Sequence, residues 1–172
     1  MSPINPDEFR EAMAQFASGV TVVTTVQGGI DHAMTASAFT SVSLDPPLVL
    51  VCVDKSTRFH QAVALSREWG ASILAGSQES LAHWLATRGR PLAGQLDPHP
   101  HRRGEHTGAA LLEHALCRLE CRTWEMYDGG DHTIVVGEVV WLEAGSDDEA
   151  ALVWFRSDFT TLGQPALHSP RR

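Results

Sequence analysis

Short β-branched runs alternate with turn-forming residues along most of this chain. Gly19-Val20-Thr21-Val22-Val23-Thr24-Thr25-Val26 predicts a strand, Gln27-Gly28-Gly29 a turn, and Ile30 to Ala36 the returning arm of a hairpin. Pro46-Pro47 cannot sit inside a ladder, so the pair marks the start of a buried strand, Leu48 to Val53, an uninterrupted apolar run of six residues that no other run exceeds. Ala71 to Ala75, Leu111 to Trp124, His132 to Ala144 and Leu152 to Arg156 read as further strands, with a turn at Tyr127-Asp128-Gly129-Gly130. Helical spacing appears in three places. Asp7 to Phe16 carries Phe9, Ala12, Met13 and Phe16 on one side; Ser56 or Thr57 can cap a helix to about Leu65; Ser77 can cap another to about Thr87. Strands outnumber helices and meet mostly through turns, which predicts a mainly β fold, an antiparallel barrel with a few covering helices. Gly89 to Gly108 is rich in Pro, Gly and His, and a loop of that length inside a compact domain is expected to be functional or mobile.

Length and composition narrow the class. The 172 residues suit one domain, with a core expected from about residue 9 to 162, and 43% hydrophobic against 20% charged residues excludes disorder. No run is long enough to span a bilayer, and Met1 to Asp7 lacks the pattern of an export signal, so a cytoplasmic protein is expected. The net charge of -8, without basic residues interleaved with aromatics, argues against nucleic acid as a partner. Three cysteines, Cys52, Cys117 and Cys121, cannot all pair, which suits a reducing compartment.

Several chemistries are excluded by their missing signatures. No two glycines stand at i, i+2, so there is no G-x-G-x-x-G turn, and P-loop, G-x-S-x-G and H-E-x-x-H patterns are missing as well. Cys117 and Cys121 lie on one face of a strand, on the order of 13 Å apart, too far for one bridge or one zinc, and read as core filler. His99, His101 and His106, flanked by prolines and by Arg102-Arg103, read as a solvated loop rather than a metal site.

Two segments carry a positive signal. Ala33 to Ser43 is dense in hydroxyls and small side chains, which let backbone N–H groups approach a flat heteroaromatic ligand. Asp54-Lys55-Ser56-Thr57-Arg58 brings the sole lysine, an arginine and two hydroxyls to an expected helix start, a place for a phosphate on an acidic protein. Together they predict one pocket with a polar ledge and a phosphate grip. His132 opens a strongly apolar strand, and Gly137 within that strand suggests a bulge or a close approach.

In order, Phe16-Ala17-Ser18-Gly19-Val20-Thr21-Val22-Val23-Thr24-Thr25, then Met34-Thr35-Ala36-Ser37-Ala38-Phe39-Thr40-Ser41-Val42-Ser43 with Pro46-Pro47-Leu48-Val49, then Gly130-Asp131-His132 ending in Gly137-Glu138-Val139, resemble the short-chain flavin reductases. These are the reductase components of two-component flavin-dependent monooxygenases. The likeness runs from about Phe9 to Leu162. It implies an FMN-binding split β-barrel, usually a homodimer, that reduces FMN or FAD with NADH or NADPH and supplies a partner oxygenase. Thr35, Ala36 and Ser37 would line the flavin ring, Ser41 the ribityl or phosphate, and Cys52, Val53, Asp54, Lys55, Ser56 and Thr57 the ribityl-phosphate pocket. His132 matches the family histidine on the nicotinamide side. The chain departs at Ser72, Trp84-Leu85, Ser157 and Phe159, and its Gly89–Gly108 segment is long; FMN or FAD, and NADH or NADPH, stay open. The competing readings are a flavin-binding protein without turnover and a single-component flavoenzyme with tightly bound FMN.

Overall fold

Tight glycine turns and β-branched runs set the frame of the molecule. The computed structural model describes residues 4–145 and 148–162. In chain order it contains α1 (Pro6–Met13), β1 (Ser18–Gly19), β2 (Thr21–Gln27), β3 (Ile30–Ala36), β4 (Phe39–Leu44), β5 (Pro47–Asp54), α2 (Arg58–Ser66) and β6 (Glu68–Ile73). There follow α3 (Glu79–Ala86), β7 (His101–Arg103), β8 (Ala110–Leu112), β9 (Cys117–Gly129), β10 (His132–Ala144), β11 (Leu152–Phe155) and β12 (Asp158–Thr161).

The main sheet has seven strands in the order β3-β2-β6-β9-β10-β5-β4, antiparallel at every pairing. Gly28 and Gly29, at φ 60° and 77°, make the two-residue turn that β2 and β3 require, with Gln27 opposite Ile30. Every strand of this sheet puts a side chain into or against one apolar cluster: Val23, Ala36, Phe39, Val51, Trp69, Leu119 and Val135 among them, with Phe59 and Val63 of α2. A sheet whose two edges share one core must be rolled, and β3 and β4 do not pair with each other among the described residues. The fold is mainly β and antiparallel, as expected. A second cluster outside the roll joins Val20 and Val22 to α3 through Leu81, Ala82 and Leu85, and to Leu152 of the three-stranded sheet β1-β11-β12.

Five details differ from the sequence-based expectations. The hydroxyl-rich segment holds the end of β3 and most of a strand that the sequence pattern did not predict, β4, because Ser and Thr are tolerated on an exposed edge strand whose other side pairs with β5. Residues 111–124 are not one strand: β8 and β9 are broken at His114, which stands at φ 61°. The β9–β10 turn is Gly130-Asp131, with Gly129 still paired to His132. Ser77 does not cap α3, for a 3-10 turn, Gly76–Gln78, precedes that helix, and the Gln78 side-chain oxygen accepts from Ala75 N at 3.1 Å. The Gly89–Gly108 stretch contains β7, and β12 adds a short polar strand at the far end.

Two buried contacts fix the interior. Gly137 sits at a register shift between β9 and β10, and a Cβ there would meet the fully buried Trp69 ring at 2.5 Å. The close approach expected at Gly137 is therefore made by a core tryptophan. Glu120, on the outer face of β9 and 2% exposed, accepts from His106 N (2.9 Å), Thr107 N (2.7 Å) and Thr107 Oγ1 (2.8 Å), which fastens the loop between β7 and β8 to the sheet. Cys121 lies in the central cluster and Cys117 packs at its margin. Among the described residues no helix is long and apolar enough to cross a membrane.

Gly137→Ala is expected to cost about 1–3 kcal/mol of stability through overpacking against Trp69. In denaturant unfolding, combining it with Trp69→Phe should cost less than the sum of the two single changes. Strict additivity would refute the contact as the cause.

Candidate functional site

The end of β5 organises the site. Val49, Val51 and Val53 face the core cluster, which turns Cys52 and Asp54 to the opposite side of the strand. At Asp54 the ladder stops and the chain turns into α2. Thr57 N and Thr57 Oγ1 donate to the Asp54 carbonyl at 3.0 and 2.7 Å, and Thr57 Oγ1 accepts from His60 N at 3.2 Å. Thr57 is thus the helix cap. Ser56 donates from both N (2.8 Å) and Oγ (2.7 Å) to Asp54 Oδ1, and Arg88 Nη2 donates to Asp54 Oδ2 at 2.9 Å. The Ser56 hydroxyl and amide, with the Arg88 and His132 charges, hold the Asp54 carboxyl below the usual carboxylate range.

A cavity of about 420 Å³ opens beside this turn. One wall is β3, from His32 to Thr35; another is Asp54 with Ser56 to Phe59; the third runs from Leu85 on α3 through Arg88 and Arg90 to Gln95. The Thr35 hydroxyl donates to the Ala82 carbonyl of α3 at 2.7 Å, joining β3 to the helix. Three guanidinium groups, Arg58, Arg88 and Arg90, line the space against one carboxylate, Asp54. The backbone N–H groups of Arg58 and Phe59, in the first turn of α2, have no partner among the described residues. Burial, and then the Arg58 charge, push the His32 imidazole below its ordinary pKa, and its Nδ1 is buried without a hydrogen-bond partner. Such a lining favours an anion.

The residues singled out from the sequence fall into groups. Thr35, Asp54, Ser56 and Thr57 line this cavity together, so the ledge and the helix cap share one space. Ser37 and Ala38, between β3 and β4, and Cys52 on β5 are outside the lining: Cys52 N donates to the Ala38 carbonyl at 3.0 Å, and Ser37 is exposed. Burial raises the Cys52 thiol, which stays protonated. Ala36 and Val53 direct their side chains into the core, and as whole residues they are 5% and 0% exposed, so neither presents a surface to a ligand. Ser41 is exposed on β4, opposite Val49.

Lys55 does not line the cavity. Its ammonium pairs with the Asp128 carboxylate and donates to the Gly130 carbonyl at 2.5 Å, while its N–H donates to the Asp131 carbonyl at 3.1 Å. It ties the β9–β10 turn to the end of β5 and holds Asp128 below the ordinary carboxylate range. That turn carries His132, which pairs across the ladder with Asp54. His132 Nδ1 lies 2.7 Å from Asp131 Oδ1, and Nε2 has no partner among the described residues. His132 therefore shares the face of the sheet that carries Asp54 and Cys52, and it is not among the residues that line the cavity.

Arg88, Arg90 and Gln95 are cavity residues that local patterns did not single out. Arg90 donates to Gln95 Oε1 (3.2 Å), to the Thr87 carbonyl (2.9 Å) and to the Ala33 carbonyl; Gln95 Nε2 donates to the Asp31 carbonyl at 2.6 Å. These contacts fasten the segment after α3 across β3. The available signal was the unusual length of that segment, with two arginines at i, i+2. Among the described residues no group of three or more His, Cys, Asp or Glu is placed to hold a metal ion.

Comparison with known proteins agrees with this architecture. The family model for the flavin reductase like domain matches residues 13–163. An NADH-dependent FAD reductase of Streptomyces globisporus is 42% identical over 141 residues, 81% of this chain and 77% of that protein. An NADH:riboflavin 5'-phosphate oxidoreductase of Streptomyces pristinaespiralis is 39% identical over 159 residues, 92% of this chain and 89% of that protein. Among solved structures, BorF, the flavin reductase component of a bacterial two-component tryptophan halogenase, superposes with a TM-score of 0.87 at 41% identity, covering 92% of this chain and 98% of that one. By its rolled antiparallel sheet, its sequence and its structural neighbours, the chain belongs to the flavin reductase family.

Proposed function

We propose that this protein reduces flavin with NADH and releases the product to a partner oxygenase. The observation that carries the reading is that Thr35 of β3 and Ser56 and Thr57 at the α2 cap line one cationic cavity, with His132 across the ladder from the same Asp54. The residues fit a flavin. Unpaired N–H groups at the start of α2 suit a phosphate. The small, exposed residues Ser37 and Ala38, between β3 and β4, leave room for a flat ring. Bound flavin supplies the hydride acceptor.

The chain's own residues bind and orient. The run Cys52 to Thr57 borders the ribityl-phosphate arm: Ser56 and Thr57 spend their hydroxyls and N–H groups on Asp54 and so aim the free N–H groups of Arg58 and Phe59 at the phosphate, while Lys55 ties the hairpin behind them. Thr35 and Ser37 face the ring edge, with the buried Ala36 between them, and Ser41 extends that wall. Donors fixed in place near the edge where negative charge builds stabilise it without reorganisation. His132, its Nδ1 engaged by Asp131, presents Nε2 to the carboxamide of nicotinamide and keeps the two rings in register. We also infer a homodimer in the cytoplasm: α1 buries none of its residues, and Phe9, Met13 and Phe16 are 57%, 49% and 68% exposed.

The direct test is steady-state oxidation of NADH and NADPH crossed with FMN, FAD and riboflavin; no flavin-dependent oxidation with any pair would refute the reading. His132→Ala is expected to raise the NADH KM or slow flavin bleaching about tenfold, roughly one hydrogen bond, with flavin affinity changed less than about twofold. Collapse of flavin binding with normal nicotinamide kinetics would remove that role. Ser56→Ala, which loosens the Asp54 turn that aims the Arg58 and Phe59 N–H groups, is expected to reduce the preference for FMN over riboflavin about tenfold. Equal losses for both ligands would contradict a phosphate contact. Sedimentation should return twice the chain mass of 18.7 kDa.

A further inference from the structure

The cavity is more cationic than a single phosphate at a helix end requires. It holds three arginines against one aspartate, in a protein of net charge -8. The three are not equivalent. Arg90 makes three hydrogen bonds to neighbouring carbonyl and amide oxygens and is a fastening of the wall. Arg58 and Arg88 are exposed, and each donates one hydrogen bond, Arg58 to the Arg90 carbonyl at 2.7 Å and Arg88 to Asp54 Oδ2 at 2.9 Å. A guanidinium carries five N–H donors, so each keeps four without a protein partner.

The placement of these donors is informative. In the flavin reductase reading the free N–H groups of Arg58 and Phe59 take one phosphate at the start of α2, and Asp54 stands between that point and Arg88, with Ser56 on one oxygen and Arg88 on the other. Arg88 belongs to a different wall, held by α3 and by the Arg90 fastening. Apolar groups of Phe59, Leu85 and Leu92 complete the lining. A volume of about 420 Å³ lies in the range of small-molecule pockets, about 300–1,000 Å³.

We propose that Arg58 and Arg88 form a subsite for the second phosphate of a flavin dinucleotide, with its adenosine against the apolar wall, so that this chain prefers FAD to FMN. The proposal rests on the flavin reductase reading and assigns the segment after α3 a role in choosing the flavin. Planar guanidiniums match a phosphate in paired hydrogen bonds, and Asp54 keeps the Arg88 fork in place without exhausting its donors.

Titration of the full chain with FAD, FMN and riboflavin, followed by flavin fluorescence, tests it. Wild type should bind FAD at least about tenfold more tightly than FMN, the size of one charge-assisted contact. Arg88→Ala and Arg58→Ala should each weaken FAD about tenfold and FMN less than about twofold, and Arg88→Lys should weaken FAD by an intermediate amount. Both arginines are solvent-exposed, so the variants are expected to fold. Equal wild-type affinity for the two flavins, or equal losses for both in Arg88→Ala, would overturn the subsite. A loss confined to NADH affinity would overturn it too, by giving the charge to the nicotinamide dinucleotide. Such failures, in a chain that still oxidises NADH with FMN, leave the reductase reading standing; binding of no flavin at all would defeat that reading instead.

Discussion

The carboxylate of Asp54 is the constraint on which the site depends. It closes the turn between β5 and α2 through Ser56, holds Arg88 from the far wall and stands opposite His132 in the ladder. Its backbone carbonyl anchors the cap of α2 through Thr57. A strand end, a helix start, a hairpin and the segment after α3 thus converge on one residue. Hydrogen bonds to an ionised group are shorter and stronger than neutral ones, and here they come from donors that are far apart along the chain. The ionised form is favoured by those same donors, so the arrangement sustains the charge that sustains it.

The rolled sheet supplies the platform. Because all seven strands meet in one cluster, β3 and β5 stand close enough for one cavity to be lined from both. β3 and β4 are the edges of the sheet, and the small side chains stand where the chain passes between them. Soluble proteins protect such edges with polar residues, and the serines and threonines of β4 meet that need. The same hydroxyls that suggested a ligand ledge also protect an edge, which is why composition alone could not separate the two roles.

Much of the frame was legible because it is local. The β2–β3 hairpin, the β5 run, the Thr57 cap and β10 follow from neighbours in sequence, and the ordered motifs carried the family. What stayed hidden depends on contacts across the chain. Lys55 has the composition of a phosphate ligand beside a helix start, yet Gly130 and Asp128, more than seventy residues on, take its ammonium. Arg88 reaches Asp54 across 34 residues. Glu120 alternates with Arg118 and Arg122 on one face of β9 with no apolar pattern to mark it as buried, yet the loop around Thr107 covers it. β4 and β12 were hidden for another reason: short, polar edge strands have no apolar alternation to show.

Lys55 has one more consequence. It is the only lysine in the chain, and its amine is engaged by the hairpin that bears His132. Acylating reagents therefore have a single side-chain target, and attack there requires the ammonium to leave Gly130 and Asp128 and shed a proton. The labelling rate thus becomes a clock for opening of that hairpin, and a dye attached through this amine would sit at the mouth of the site without any engineered cysteine.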